Sequence, residues 1–568
     1  MQVMTPRTHR ADHAHRTSPR PDGHARTLLR LLVGVCTARP AVTAVLTPAA
    51  VMLGLGLWGL DRGTMWSDEG ATFQVARRSL PEIWRLLGTV DAVHGLYYVL
   101  MHLAVAVHPG EVALRLPSVL AATASAALVA FLGVRLARPR VGLWAGLLYA
   151  VMPITGHYAQ EGRSYALVAA GAATATLLLL RAVRHARVRD WFLYGVAVTG
   201  TALLHELAAL LLLAHAVTLA VSWRRIDRRV WAGWALASGA ALAALLPLLW
   251  LSAGQRGQIA WLKPPNGESA EVVLRAFGGP TELVLCVSLL LACAALNGPS
   301  GWRGPSGRRG PSGRRGSVSL NAVALPLVLV PPVVLFFAPQ STPLFCGRYL
   351  FFTLAGLPLL VAAGAERCAR AVRRLGGRAV VRRRAIGAFA GVVAVGLGFV
   401  WQLPEHRAER TGMERRDDLA GVARMAAREL HPGDPLLFLP SSGRATAMAY
   451  PAGFRGTKDL ALRTPGPESG TLYGEEAGAA EVRRRLAGLE RVWVLAEPFA
   501  VRPAWYPRNA TERAKLSVVN EQFVLRDEFA TRSGVLRQYV RRAPVKPMGW
   551  PAGADHPGSV EEEQENDN

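Results

Sequence analysis

The sequence predicts an all-α polytopic membrane protein, with about eleven transmembrane helices plus a half-helix, followed by a small C-terminal α/β extracytoplasmic domain. Three observations predict it. Apolar residues make up 51% of the 568-residue chain and fall into long blocks, many of them close to the roughly 20 residues that cross a bilayer. The arginines that raise Lys+Arg to 65, against 40 Asp+Glu, gather in the short links between those blocks. Beyond residue 404 the blocks give way to alternating helical and strand patterns.

Residues 1–40 are polar, basic and rich in His and Pro, and read as a disordered cytoplasmic tail. Their charged stretch is too long for a signal peptide and no small-residue cleavage pattern follows it. Crossings are expected at 41–60, 116–136, 166–182, 231–251, 281–296, 320–338, 349–365 and 385–403. The stretch 191–222 is long enough for two short crossings broken near His205 and Glu206, and shorter apolar pieces occupy 94–107 and 141–153. The transmembrane domain so defined covers 41–403.

Basic links assign the sides, because cytoplasmic loops carry the excess of Lys and Arg. "RHARVR" (184–189), "RRIDRR" (224–229), the loop around 303–315 and "RRLGGRAVVRRR" (373–384) are cytoplasmic on this rule. The first loop, 61–93, then lies outside, as do 252–280 and the C-terminal third. Four apolar pieces separate the outer loop 61–93 from the inner loop at 184–189, an even number, so one of them does not cross. The 13-residue piece 141–153, bounded by "ARPR" and Pro153, is the expected half-helix. Irregular backbone at membrane depth is tolerated only where it is buried or lines a cavity, so this defect points to a site.

The net charge of +25 is thereby topological, and no nucleic-acid partner is expected. The five cysteines, Cys36, Cys286, Cys293, Cys346 and Cys368, form no CxxC pair and support neither a zinc site nor a disulfide framework. The repeats "GPSGWR" and "GPSGRR" make 298–317 a flexible basic loop. Within 404–545, "DDLAGVARMAAREL" and "EVRRRLAGL" have helical period, "PLLFLP" and "RVWVLAE" read as buried strands, and "FVLRDEFATRSGVLRQYVRR" as a hairpin. No glycine-rich phosphate fingerprint accompanies them. Residues 546–568 are a disordered acidic tail.

Polar residues at the outer membrane edge carry the chemistry. Asp68 and Glu69 are adjacent carboxylates just beyond the first crossing. They either cap the following helix or serve as general base or metal ligands, which leaves a divalent cation as an open cofactor. "DAVHGLYYVLMH" adds Asp91, His94, Tyr97 and Tyr98; "YAQEGRSYAL" adds Gln160, Glu161, Arg163 and Tyr165; "LRLPS" adds Arg115; "FCGRYLF" adds Arg348 and Tyr349. Each suits interfacial anchoring, and each arginine also suits a lipid phosphate.

Taken in order, "WSDEGATF", "HGLYYVLMH", "LRLPSVLAA" and "GLWAGLLYAVMPITGHYAQEGRSYAL" resemble the integral-membrane GT-C glycosyltransferases. The likeness is to family 39, the protein O-mannosyltransferase and aminoarabinosyltransferase group, in its actinobacterial form, and it covers roughly residues 40–220. It implies transfer of a sugar from a polyprenyl-phosphate donor to a protein, glycan or lipid acceptor on the outer face. It further implies Asp68 as general base, supported by Glu69. His94 and Tyr97 would line the donor pocket, although Gly95 stands where the family pattern has proline. Arg163 and Arg348 are the candidates for the donor phosphate. Arg115, Glu161, Tyr165 and Tyr349 complete the candidate donor site. Two other classes remain open on the residues alone: a flippase of lipid-linked sugars, and a non-catalytic envelope scaffold.

Overall fold

In the helix Pro40–Leu57, apolar at almost every position, Pro48 sits mid-helix and is tolerated because neighbouring helices close around it. The computed structural model to which this helix belongs describes residues 39–296, 318–338, 343–375, 383–411, 417–507 and 509–543. The basic and acidic tails and the Gly/Ser/Pro loop 298–317 lie outside the described residues. The chain divides into two compact units, one of 39–421 with 448–450 and 464–475, the other of 422–447, 451–463 and 476–543.

The first unit is helical. Pro40–Leu57, Glu111–Leu136 and Pro139–Val151 pack as one group through small residues. A Cβ on Gly142 would lie 2.4 Å from the Ala130 carbonyl oxygen, and one on Gly146 would lie 2.7 Å from the Pro48 ring. Lipid offers no hydrophobic drive between helices, so close backbone approach and dispersion must hold them, and glycine permits the approach. Glu282–Leu296 meets Gly356–Leu375 in the same way at Gly364, where a Cβ would come within 1.8 Å of the Leu291 carbonyl oxygen.

Among the described residues, five helices are long and apolar enough to cross a membrane: Pro40–Leu57, Glu111–Leu136, Tyr165–His185, Arg228–Gly254 and Leu320–Phe337. Two bent pairs raise the number to seven: Gly267–Gly278 with Glu282–Leu296, bent by 79°, and Gly347–Thr353 with Gly356–Val372, bent by 50°. Their outward faces are apolar, with Leu236, Trp250, Leu290 and Phe337 exposed, as expected of surfaces that face lipid. The remaining expected crossings are shorter helices. The piece 141–153 becomes Pro139–Val151, only about 20 Å long at 1.5 Å per residue, and breaks at Met152 into Pro153–Ala159. The block 191–222 breaks where its sequence turns polar: Val188–Leu204 ends at an extended His205, and a 3-10 turn over Glu206–Ala209 leads into Leu210–Val221.

The second unit is built on a five-stranded mixed sheet in the order β2-β1-β5-β7-β6. Here β1 is Pro435–Leu439, β2 Lys458–Asp459, β5 Arg491–Ala496, β6 Phe523–Ala530 and β7 Val535–Arg541; Leu462–Thr464 (β3) and Glu475–Glu476 (β4) form a separate two-stranded ladder. β1 runs parallel to β5, with Leu437 opposite Val494, and both are buried, as their continuous apolar runs require. β6 and β7 form the antiparallel hairpin read from the sequence, with a register shift between Leu525 and Asp527. The helices Ala479–Ala487 and Ala510–Gln522 supply Val482, Leu486, Val518 and Val519 to the same core.

The glycine contacts set a test. Gly142→Ala forces a methyl group against backbone at Ala130 and Val134, and should cost about 1–3 kcal/mol or prevent stable insertion. Gly200→Ala, with nothing within 4 Å of the new Cβ, should be neutral. Thermal unfolding of the detergent-purified variants checks the contrast.

Candidate active site

Between Leu57 and Ser67 the chain has no regular ladder, so its backbone carbonyls need other partners. Arg115, fully buried in the helix Glu111–Leu136, supplies them. Its Nη1 donates to the carbonyls of Leu60 (3.3 Å) and Arg62 (3.2 Å), and its Nη2 to that of Thr64 (3.0 Å). The same guanidinium grips Glu69 in two bonds of 2.9 Å, Nε to Oε1 and Nη2 to Oε2, with both side chains at 0% exposure. Glu69 Oε1 also accepts the Gly162 N–H at 2.8 Å. Gln160 donates to the carbonyls of Gly56 (2.9 Å) and Trp58 (2.8 Å) at the end of the first helix.

This frame starts the helix Ser67–Ala76, with Asp68 and Glu69 in its first turn, where the helix dipole favours carboxylates. Capping does not account for the acidic pair, since Trp66 is the N-cap and the first N–H of the helix, that of Ser67, goes to Asp417 Oδ2 at 3.2 Å. Successive helical residues point about 100° apart. Glu69 faces Arg115, whereas Asp68 lines a cavity of about 460 Å³.

Two arginines meet Asp68 on the cavity wall. Arg348 Nη1 donates to Asp68 Oδ2 at 3.1 Å, and Arg163 Nη2 lies 4.0 Å from the same oxygen. Arg348 is sandwiched by rings, 4.9 Å from the centre of Trp261 and 5.4 Å from that of Tyr349. Arg163 donates to Thr72 Oγ1 at 3.2 Å and to His94 Nε2 at 2.7 Å, which puts the His94 proton on Nδ1. The Nε atoms of Arg163 and Arg348 and Nδ1 of His94 are buried without a protein partner. Tyr165 and Tyr349 complete this wall around His205, with ring centres 6.0 and 5.0 Å from it.

Of the ten residues expected at the site, Asp68, His94, Arg163, Tyr165, Arg348 and Tyr349 line the cavity. Glu69 and Arg115 lie behind it as the buried pair. Tyr97, at 0% exposure, packs among Phe73, Ile83 and Leu86. It does not line the cavity. Glu161 lies away from the cavity, 3.9 Å from His157, and burial pushes its carboxyl up to about 7 against the opposing pull of that histidine. Sequence reading missed the wall formed by Glu206, Ser252, Gln255, Arg256, Gln258 and Trp261. A signal was present: polar and aromatic residues crowd the segment just past the 27-residue helix Arg228–Gly254.

A divalent cation does not fit the acidic pair. Asp68 already faces two guanidiniums and Glu69 a third, and among the described residues no three His, Cys, Asp or Glu side chains converge as a ligand set.

Residues 95–251 match the family model described as dolichyl-phosphate-mannose-protein mannosyltransferase. The fold is similar to that of ArnT from Cupriavidus metallidurans in the apo state, with a TM-score of 0.53 at 12% identity over 91% of this chain and 98% of that one. It is equally similar to the same enzyme bound to undecaprenyl phosphate, with a TM-score of 0.52 at 12% identity over 87% of this chain and 97% of that one. No curated protein matches the chain by sequence search.

The buried pair yields a prediction. Glu69→Gln leaves the Arg115 charge buried and uncompensated, and should destabilise the protein by about 3–5 kcal/mol. The double change Glu69→Gln with Arg115→Met should recover part of that loss. Thermal unfolding of both variants measures the difference, and equal losses would refute the coupling.

Proposed function

We propose that this chain, a membrane glycosyltransferase of the GT-C fold, takes its sugar from a polyprenyl-phosphate carrier and passes it to an envelope acceptor on the outer face, with Asp68 as general base. The sugar is mannose or another hexose or pentose. The observation that carries the reading is the half-buried carboxylate of Asp68 beside Arg163 and Arg348, each with an unsatisfied Nε, in one cavity. Two guanidiniums suit a lipid phosphate, for which the planar fork is matched. The carrier named in the ArnT complex, undecaprenyl phosphate, is of that chemical class.

The reaction follows from these positions. The acceptor hydroxyl oxygen attacks the anomeric carbon from the face opposite the phosphate, forming the new C–O bond. The bond from that carbon to the phosphate oxygen breaks, and its electron pair leaves with the phosphate. The hydroxyl proton passes to Asp68. Arg163 and Arg348 offset the charge that grows on the leaving phosphate, where fixed donors act most strongly. Arg348 is held by Asp68. An arriving phosphate competes for that guanidinium and frees the carboxylate to act as base. His94 fixes Arg163 through its Nε2, and Glu69 with Arg115 sets the position of Asp68 without touching substrate.

The C-terminal unit, which has no cofactor fingerprint, handles the acceptor in this reading, and the N-terminus is cytoplasmic.

Asp68→Asn keeps the side chain's shape and removes the proton acceptor, so turnover should fall by about 10²–10⁴ with little change in donor affinity. Arg348→Ala should weaken donor binding, and Arg348→Lys should restore it only partly, because lysine lacks the fork. Steady-state kinetics with a polyprenyl-phosphate sugar tests both. Near-normal turnover in Asp68→Asn would remove the base assignment.

A further inference from the structure

Two carboxylates on the cavity wall have no part in the proposed chemistry. Asp91 stands at the end of the first loop in a left-handed conformation, φ 57°, which a non-glycine residue adopts only when its surroundings hold it. They do. The Tyr98 hydroxyl donates to Asp91 Oδ2 at 2.7 Å, the Asp91 N–H donates to Gln258 Oε1 at 3.3 Å, and the Ala92 N–H donates to Gln255 Oε1 at 2.9 Å. Gln255 closes the clasp by donating to the Leu87 carbonyl at 2.9 Å. Glu206 opens the 3-10 turn at the helix break, and its Oε2 accepts the Ser252 hydroxyl at 2.6 Å.

Each carboxylate thus commits one oxygen to a hydroxyl of the protein, and both residues line the cavity. Among the described residues neither takes part in an ion pair: Arg163 and Arg348 are turned to Asp68, and Arg256 lines the cavity without pairing with either. Carboxylate oxygens facing a partly enclosed cavity lose water, and the loss is offset only by hydrogen-bond donors on whatever fills it. The cavity is therefore divided in chemistry, with guanidiniums for a phosphate and carboxylates for hydroxyls.

We propose that Asp91 and Glu206 are specificity-determining residues, which accept hydrogen bonds from hydroxyl groups of the donor's sugar and thereby select a neutral sugar over a uronic acid. This rests on the donor reading above. A sugar carboxylate would place a further negative charge beside two carboxylates that hold no direct ion-pair partner among the described residues, and like charges brought together in this way are costly. Asparagine adopts the left-handed region as readily as aspartate, so Asp91→Asn removes the charge without disturbing the backbone.

The test measures binding to the full chain in nanodiscs, using short-chain polyprenyl phosphate without sugar, its mannosyl, glucosyl, galactosyl and arabinosyl derivatives, and its glucuronosyl derivative. The wild type should bind its best neutral-sugar donor about tenfold or more tighter than the glucuronosyl one. Asp91→Asn and Glu206→Gln should each weaken the neutral donor about tenfold, the difference between charged and neutral hydrogen bonds, and narrow the discrimination. Binding of the sugarless lipid should be unchanged in both variants, which also shows that they are folded. Unchanged affinity for the best neutral donor in both variants overturns the assignment, as does a wild type that holds the glucuronosyl donor equally well. Failure of the wild type to bind the sugarless lipid overturns the donor reading itself.

Discussion

The buried pair between Arg115 and Glu69 is the constraint on which the site depends. The nine residues between the first helix and Ser67 have almost no backbone ladder, yet they must carry Asp68 to one place. One guanidinium takes three of their carbonyls and both oxygens of the residue next to Asp68. A buried charge pair of this kind adds little net stability, because desolvation offsets most of its attraction. Its effect is positional, in that the first turn of Ser67–Ala76 cannot rotate without unpairing two charges and exposing several carbonyls. Adjacent carboxylates thereby acquire separate tasks, one holding the loop and one facing the cavity.

The second consequence is a local excess of positive charge. Arg163 and Arg348 converge on a single carboxylate, and each retains a buried Nε without a partner. Buried guanidiniums are costly unless anions or acceptors complete their set. In the proposed reaction the wall around Arg163 and Arg348 takes the donor phosphate, and its arrival releases Asp68 from Arg348. In this account substrate binding itself prepares the base by drawing Arg348 away from Asp68.

Much of this was legible in the sequence, for identifiable reasons. Apolar blocks located the helices because only internally bonded backbone survives in lipid, and the polar pair His205–Glu206 marked its break because polar groups interrupt such a block. Strands β1 and β5 were readable as continuous apolar runs, since parallel strands are covered on both faces. Asp68, Arg163 and Arg348 stood out as charges at a membrane edge. What the sequence did not separate was which charges face substrate and which hold the frame. Glu69 and Asp68 differ only by one helical step, and Tyr97 is one turn from His94 yet packs in an apolar cluster. Nor did it show that 252–261 closes the cavity, because the bonds of Gln255 and Gln258 to Ala92 and Asp91 join residues some 165 positions apart. The segment 464–475 offered no signal either; it belongs to the first unit through Arg78 and Arg85, which donate to its backbone carbonyls.

A cryo-electron microscopy structure of the full chain with a non-transferable polyprenyl-phosphonate sugar measures the central claim most directly. The account predicts the phosphonate within about 3 Å of the guanidinium nitrogens of Arg163 and Arg348, the contact between Arg348 and Asp68 opened, and Asp68 facing the anomeric carbon from the side opposite the phosphonate. A phosphonate seated elsewhere, with Arg348 still paired to Asp68, would contradict it.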